Sequence, residues 1–96
     1  MKVLCIVTNG FEEVEFVGTV GILRRGNVDI DIYSIHGSKA IGRYGIEVSN
    51  LYNFKDIDVS KYDLLLIPGG PEYVEMENNK DFLNIVKYFY NENKYI

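Results

Sequence analysis

A chain of 96 residues, 47% hydrophobic and 25% charged, has the composition of one small globular domain and not of a disordered segment. Fourteen acidic against ten basic side chains leave a formal charge of −4, which argues against the basic surface that a nucleic-acid partner needs. No apolar run approaches the ~18 residues of a membrane-crossing helix, and the single cysteine permits no internal disulfide, as suits a reducing cytosol.

Met1-Lys2 leads directly into Val3-Leu4-Cys5-Ile6-Val7, a continuous apolar run that predicts a strand buried on both faces, as in a parallel sheet. No small-residue cleavage site precedes it, so no signal peptide and no membrane partner are expected, and the expected location is cytoplasmic. Thr8-Asn9-Gly10 is turn chemistry at the carboxyl end of that strand. Glu12, Glu13 and Glu15 crowd the start of a helix, where acidic side chains meet the positive end of the helix dipole. Val14, Val17, Gly18 and Gly21 recur at helical spacing, and Phe16, Val20 and Leu23 widen the apolar face. The two glycines each cost about 1 kcal/mol of helix propensity relative to alanine. The expected return is close packing of this helix on the sheet. Arg24 and Arg25 suit its last turn, and Gly26 suits a left-handed cap.

Residues 28–35 alternate, with Val28, Ile30 and Ile32 set against Asp29, Asp31 and Tyr33. This predicts a strand with one wetter face near a sheet edge, completing a β-α-β unit. Residues 37–50 hold two short strand candidates, Lys39–Ile41 and Ile46–Val48, on either side of Gly42-Arg43-Tyr44-Gly45, which predicts a small hairpin or flap. Residues 53–62 are polar and irregular. Leu64-Leu65-Leu66-Ile67 then runs straight into Pro68-Gly69-Gly70-Pro71, a second buried parallel strand with a glycine turn at its carboxyl end. Without Cβ atoms, Gly69 and Gly70 allow backbone N–H groups to approach a ligand closely, and open α/β sheets bind ligands outside the carboxyl ends of their strands. A short helix is predicted over Tyr73–Met76 and a longer one over Asp81–Asn91. Phe82, Leu83, Ile85, Val86, Phe89 and Tyr90 form the apolar face of the longer one, and Asn79 or Lys80-Asp81 opens it. Lys94-Tyr95-Ile96 begins another apolar segment.

Taken together, these features resemble the DJ-1/PfpI (ThiJ/PfpI) family over essentially the whole chain. Asn9-Gly10-Phe11-Glu12-Glu13-Val14-Glu15 is similar to the family's strand-end G-x-E-E-x-E motif. Asp63-Leu64-Leu65-Leu66-Ile67-Pro68-Gly69-Gly70 is similar to its D-x-L-x-x-P-G-G motif. The resemblance implies a flavodoxin-like α/β sandwich, a parallel sheet with flanking helices, in a domain of roughly twice this length. It also implies a nucleophilic cysteine on a strained turn after the strand that follows the last helix, and a histidine further on. Residues 94–96 look like the opening of that strand. Residues 1–96 therefore resemble the N-terminal half of a single domain, separated from the rest by cleavage, truncation or a gene fragment. The expected partner is the missing C-terminal half, in the same or a separate chain. Alone, the half-domain would expose a strand edge and an apolar sheet face.

The family's glutamate that contacts the cysteine matches Glu15. A protonated carboxyl beside a thiolate donates a hydrogen bond, lowers the thiol pKa and can move protons as a general acid/base. The structural alternative is a solvated glutamate in a first helical turn. The family's oxyanion-hole glycines match Gly69 and Gly70, whose backbone N–H groups would stabilise negative charge on a substrate oxygen. Here the structural alternative is a tight turn that needs glycine for its backbone angles. Glu12 and Glu13 read as helix-start charges, with a basic flap residue as a partner for Glu13. Cys5 lies inside an apolar strand and reads as a buried, inert thiol. His36 lacks a Cys or Asp partner at ligand spacing, so a surface position is expected and no metal. Arg43 or Tyr44 lies where family members carry a basic residue near the site.

The resemblance implies a cysteine-dependent hydrolase or lyase acting on small reactive carbonyls such as methylglyoxal, of glyoxalase III or deglycase type, or a peptidase. It implies no cofactor and a homodimer, for which the Gly18/Gly21 face is one possible surface. One alternative is a non-enzymatic stress protein, a redox sensor or chaperone using the same cysteine. Another is a class I glutamine amidotransferase-like domain, which shares the Pro-Gly-Gly turn but is disfavoured by the Glu12-Glu13-Val14-Glu15 cluster. A receiver domain and a dinucleotide site fit less well, because Pro68-Gly69-Gly70 ends the third long strand and Gly-x-Gly-x-x-Gly does not follow the first.

Overall fold

The computed structural model describes residues 1–70 and 73–96. Pro71, the last residue of the Pro-Gly-Gly-Pro run, lies outside them. Strand β1 (Lys2–Val7) leads through a loop into a π-helical turn (Val14–Gly18) that continues as α1 (Thr19–Arg25). Strand β2 (Asp29–Ser34) follows, then the hairpin of β3 (Ala40–Ile41) and β4 (Glu47–Val48), then β5 (Tyr52–Asn53). Two 3-10 turns lead to β6 (Leu64–Leu66), α2 (Tyr73–Glu77) and α3 (Lys80–Asn91). The main sheet has the order β5-β2-β1-β6, and every pairing in it is parallel. This is the α/β class expected, a parallel sheet with helices on both faces.

The apolar run of β1 is buried along its whole length because each alternate side chain has its own layer. Val3, Cys5 and Val7 face Phe16 and Val20 beside Ile30 and Ile32. Leu4 and Ile6 face Tyr62, Met76, Phe82 and Phe89 beside Tyr33 and Leu65. The face of β2 expected to be wetter is so at its start, where Asp29 is exposed and Asp31 half-buried against the buried Ile30 and Ile32, and turns dry at Tyr33. Tyr33 is buried, its hydroxyl donates to Tyr62 Oη (2.9 Å), and Tyr62 donates to Asp31 Oδ2 (2.7 Å). Burial, reinforced by these hydrogen bonds, pushes the Tyr62 phenol well above its ordinary range. Where a further strand is expected to open, Tyr95 makes an isolated parallel bridge to Leu64, with Leu65 N–H donating to its carbonyl (3.0 Å), beside β6.

Three expectations need correction. The first helix packs through Phe16, Val20 and Leu23, while Val14 and Val17 are 76% and 51% exposed. Gly18 and Gly21 do not enable its packing. A Cβ on Gly21 would meet nothing within 4 Å, and one on Gly18 would meet only Val14 Cγ1 at 4.0 Å. Both stripes have helical spacing, and the one carrying Phe16 and Leu23 takes the sheet because it buries more apolar area. The second correction concerns the cap. Gly26 has φ −85°, and the left-handed residue is Asn27 (φ 64°). Asn27 N–H donates to Arg24 O and Val28 N–H to Leu23 O, the paired bonds of a Schellman ending. Third, α3 buries Phe82 and Phe89 and leaves Leu83 and Tyr90 exposed. Its N-cap is Asn79, whose Oδ1 accepts from Phe82 N–H (3.0 Å).

The glycines separate into those that fill a need and those that do not. A Cβ on Gly42 would overlap the buried Glu13 side chain. Gly42→Ala is expected to cost about 1–3 kcal/mol through this overpacking. Gly21→Ala is expected to raise stability by about 1 kcal/mol, the propensity difference in a helix with open space at that position. Urea denaturation of the two variants checks both signs.

Candidate functional site

Three chain segments meet at the carboxyl ends of the parallel strands. After β1, Asn9 and Gly10 are tied to the flap: Asn9 Oδ1 accepts from Ile41 N–H (2.9 Å), and Gly10 N–H donates to Ile41 O (2.8 Å). Phe11 is fully buried and meets Phe16 edge-on, with ring centroids 4.9 Å apart. This anchors the loop so that Glu12, Glu13 and Glu15 leave it in three different directions.

Glu12 caps the helix, its carboxylate accepting from Glu15 N–H (2.9 Å). Its own N–H donates to Gly69 O (2.9 Å), which joins this loop to the glycine turn after β6. Glu13 is buried and turns to the flap. Its Oε2 accepts from Tyr44 N–H (2.9 Å) and Ile46 N–H (3.3 Å). The flap partners of Glu13 are therefore backbone N–H groups, both on Oε2, and not the basic side chain expected; Oε1 is buried with no hydrogen-bond partner among the described residues, and the guanidinium of Arg43 lies over the Tyr44 ring (5.5 Å). Arg43 N–H donates to Phe11 O (2.8 Å), so both Arg43 and Tyr44 hold the flap through their backbones.

Glu15 is the one of the three whose carboxyl group lies against Gly69. Its carboxylate packs so closely on Gly69 that a Cβ there would overlap Oε2. Gly70 has φ 135°, a conformation that L side chains rarely adopt. The two glycines are thus needed for different reasons, Gly69 for the space Glu15 occupies and Gly70 for its backbone angle. Glu15, Gly69 and Gly70, about 55 residues apart in sequence, stand together because β6 pairs with β1 (Val3 with Leu64, Cys5 with Leu66), which brings the two strand ends side by side.

Cys5 is fully buried, and burial pushes its thiol up to about 12. It is a packing residue, as expected. His36 is exposed, as expected, but it has a partner that sequence spacing did not show. Its Nε2 lies 2.7 Å from Glu75 Oε1, and the same oxygen accepts from Thr8 Oγ (2.9 Å). No local pattern could have revealed a contact across 39 and 67 residues. Among the described residues no three His, Cys, Asp or Glu side chains converge as metal ligands, and no helix is long and apolar enough to cross a membrane.

The model of the DJ-1/PfpI family matches residues 1–96. The chain belongs to the DJ-1/PfpI family. It is 28% identical to a deglycase of Thermococcus kodakarensis over 96 residues, covering 98% of this chain and 57% of that protein. It is 32% identical to protein DJ-1 homolog A of Arabidopsis thaliana over 87 residues, 88% of this chain and 22% of that one. In three dimensions it matches oxidized DJ-1 of Toxoplasma gondii with a TM-score of 0.88 at 23% identity, over 97% of this chain and 52% of that one. The chain thus spans little more than half the length of the archaeal deglycase and about half of the DJ-1 structure. The DJ-1/PfpI fold is the flavodoxin-like arrangement expected.

Two outcomes follow from these contacts. Glu15 is exposed on its far side, so Gly69→Ala should expel its carboxylate and leave the turn intact. Stability is expected to change by less than about 1 kcal/mol, and the Glu15 side-chain carbon resonances should shift. Cys5 is expected to resist alkylation at pH 8 until denaturant opens the core. Its folded pKa is raised, so its contribution to stability is fully present below about pH 9 and is lost as pH rises towards about 12. Thiol labelling against urea, and urea midpoints from pH 8 upwards in wild type and Cys5→Ala, measure both.

Proposed function

We propose that residues 1–96 supply half of the active site of a cysteine-dependent DJ-1/PfpI enzyme acting on small reactive carbonyls, of deglycase or glyoxalase III type, or on acyl bonds as a hydrolase. In this reading Glu15 is the acid/base that also hydrogen-bonds the nucleophilic thiol, and Gly69 and Gly70 are the oxyanion donors. The nucleophile belongs to a following segment, beyond the strand that Tyr95 begins. The observation that carries the reading is the contact of the Glu15 carboxylate with Gly69, which sets a proton carrier against a glycine turn at the strand ends. The deglycase relatives support the reaction class.

The chemistry needs both parts. Attack of a thiolate on a carbonyl carbon puts negative charge on the carbonyl oxygen, and N–H groups fixed in advance stabilise that charge without reorganising. The hemithioacetal oxygen then gains or loses a proton, which a carboxyl within reach can carry. Cys5 cannot replace the nucleophile, since it is sealed in the core with its thiol protonated at neutral pH. No cofactor takes part in this reading.

A homodimer completes the proposal. The exposed stripe of Val14, Val17, Gly18 and Gly21, with Ile46 of the flap beside it, is a surface that a second copy could cover, and it does not pack on the sheet.

The test is turnover of methylglyoxal by the full-length protein and by the 96-residue segment. The segment is expected to show none. In the full-length protein Glu15→Gln should lower kcat by about 10²–10⁴-fold, and Cys5→Ser should leave it unchanged. Turnover by the isolated segment, or retention of full activity in Glu15→Gln, would overturn the assignment.

A further inference from the structure

Thr8, His36 and Glu75 form a second cluster at the same end of the sheet, and the proposed chemistry does not use it. Its geometry follows from strand register. Val7 pairs with Ser34, and Ile35 N–H continues the ladder to Val7 O (3.1 Å), so residue 8 and residue 36 emerge next to each other. The Ser34 hydroxyl shapes the turn that presents His36. Its Oγ accepts from His36 N–H (3.2 Å) and donates to Lys39 O (2.8 Å). Glu75 descends on the pair from α2, taking Thr8 Oγ–H and His36 Nε2 on a single oxygen, Oε1 (2.9 and 2.7 Å).

A polar contact between exposed side chains is ordinarily weak, and both His36 and Glu75 are partly in solvent, with side chains 45% and 43% exposed. Thr8 is different. It is fully buried, and its hydroxyl donates to Glu75. The bond is therefore made from inside the fold, and it ties α2 to the centre of the sheet. Helix α2 has five residues, too few to hold itself in place, so its position depends on tertiary anchors. Among the described residues, Met76 in the core is one anchor, and Glu75 on Thr8 and His36 is another. The Gly69–Gly70 turn lies between β6, held by β1, and this helix. Gly70, at φ 135°, has little intrinsic preference to keep it in one conformation.

We propose that Thr8, His36 and Glu75 are a clamp that positions the Gly69–Gly70 turn from its carboxyl-terminal side, with His36 and Thr8 as positioning residues for the anion-binding amides of that turn. This rests on the reading of Gly69 and Gly70 as oxyanion donors, although the clamp itself does not. Glu15 and Glu12 hold the turn from the β1 side, and Glu75 holds it from the α2 side. Both of its supports therefore trace back to the end of β1.

The test uses His36→Ala and the isosteric Thr8→Val in the full-length protein, with His36→Lys to place an N–H donor opposite Glu75 again. Amide exchange and amide chemical shifts are read by NMR, and turnover of methylglyoxal is read in parallel. Asn78 and Asn79 N–H, which donate to Glu75 O and Met76 O, report on α2. Their exchange should rise about 3-fold in His36→Ala, the scale of an exposed pair, and about 5-fold in Thr8→Val. The Gly69 and Gly70 amide shifts should move, and β1 amides should keep their protection. In His36→Lys the exchange and the shifts should return towards wild type. If the clamp acts on the reaction, kcat falls in the first two variants with KM unchanged, and His36→Lys recovers it. Unchanged Gly69 and Gly70 shifts, or a uniform rise in exchange that includes β1, would overturn the clamp. A clamp confirmed by NMR in a protein whose wild type has no turnover would leave the clamp standing and remove the reading of the turn as an oxyanion site.

Discussion

Every contact at the strand ends depends on the placing of β1 between β2 and β6. A strand paired in parallel on both sides delivers three carboxyl ends to one edge of the sheet, and the loops that follow have nowhere else to go. The cost is that β1 must be apolar throughout, because both of its faces meet a helical layer. Val3 to Val7 meet that condition, and Cys5 is one of them: its burial is a consequence of the ladder and not of any thiol chemistry.

The three glutamates after β1 show how one short acidic run can be divided among different tasks. Phe11 is locked in the core, so the chain leaves it in a fixed direction. Glu12 then satisfies the helix start and holds Gly69 through its N–H, Glu13 turns inwards to fix the flap, and Glu15 lies on the glycine turn. The flap and the glycine turn are therefore both attached to the same five residues. A change in the loop at Phe11 would disturb all of them together. The Thr8–Glu75 bond joins α2 to the same end of β1, and the clamp we propose would brace the glycine turn from that second side.

Much of this was legible in the chain. Continuous apolar runs at Val3–Val7 and Leu64–Ile67 signal buried parallel strands, and β1 is buried on both faces while Leu64 and Leu66 of β6 are half-buried; the glycine turn after the second run is a local signal. The Glu12-Glu13-Val14-Glu15 cluster and Pro68-Gly69-Gly70 together carried the family resemblance, because each is short, contiguous and set at a strand end. The face of the first helix was not legible, since two stripes of helical spacing competed and only the area each could bury decided between them. The Asn27 cap was not legible beside Gly26, because either residue can occupy a left-handed position.

The sequence by itself determined the class of fold, the strand ends at which chemistry is possible, and Glu15, Gly69 and Gly70 as the residues to watch there. Those are properties of local pattern, in which side-chain period and turn residues act over a few positions. Only the tertiary structure decided that Gly69 is glycine to make room for Glu15, that Glu13 bonds flap backbone, and that His36 and Thr8 share Glu75. Each of those is a contact between residues 31 to 67 positions apart, set up by the tertiary arrangement around the parallel register of β1, and no local pattern encodes a register.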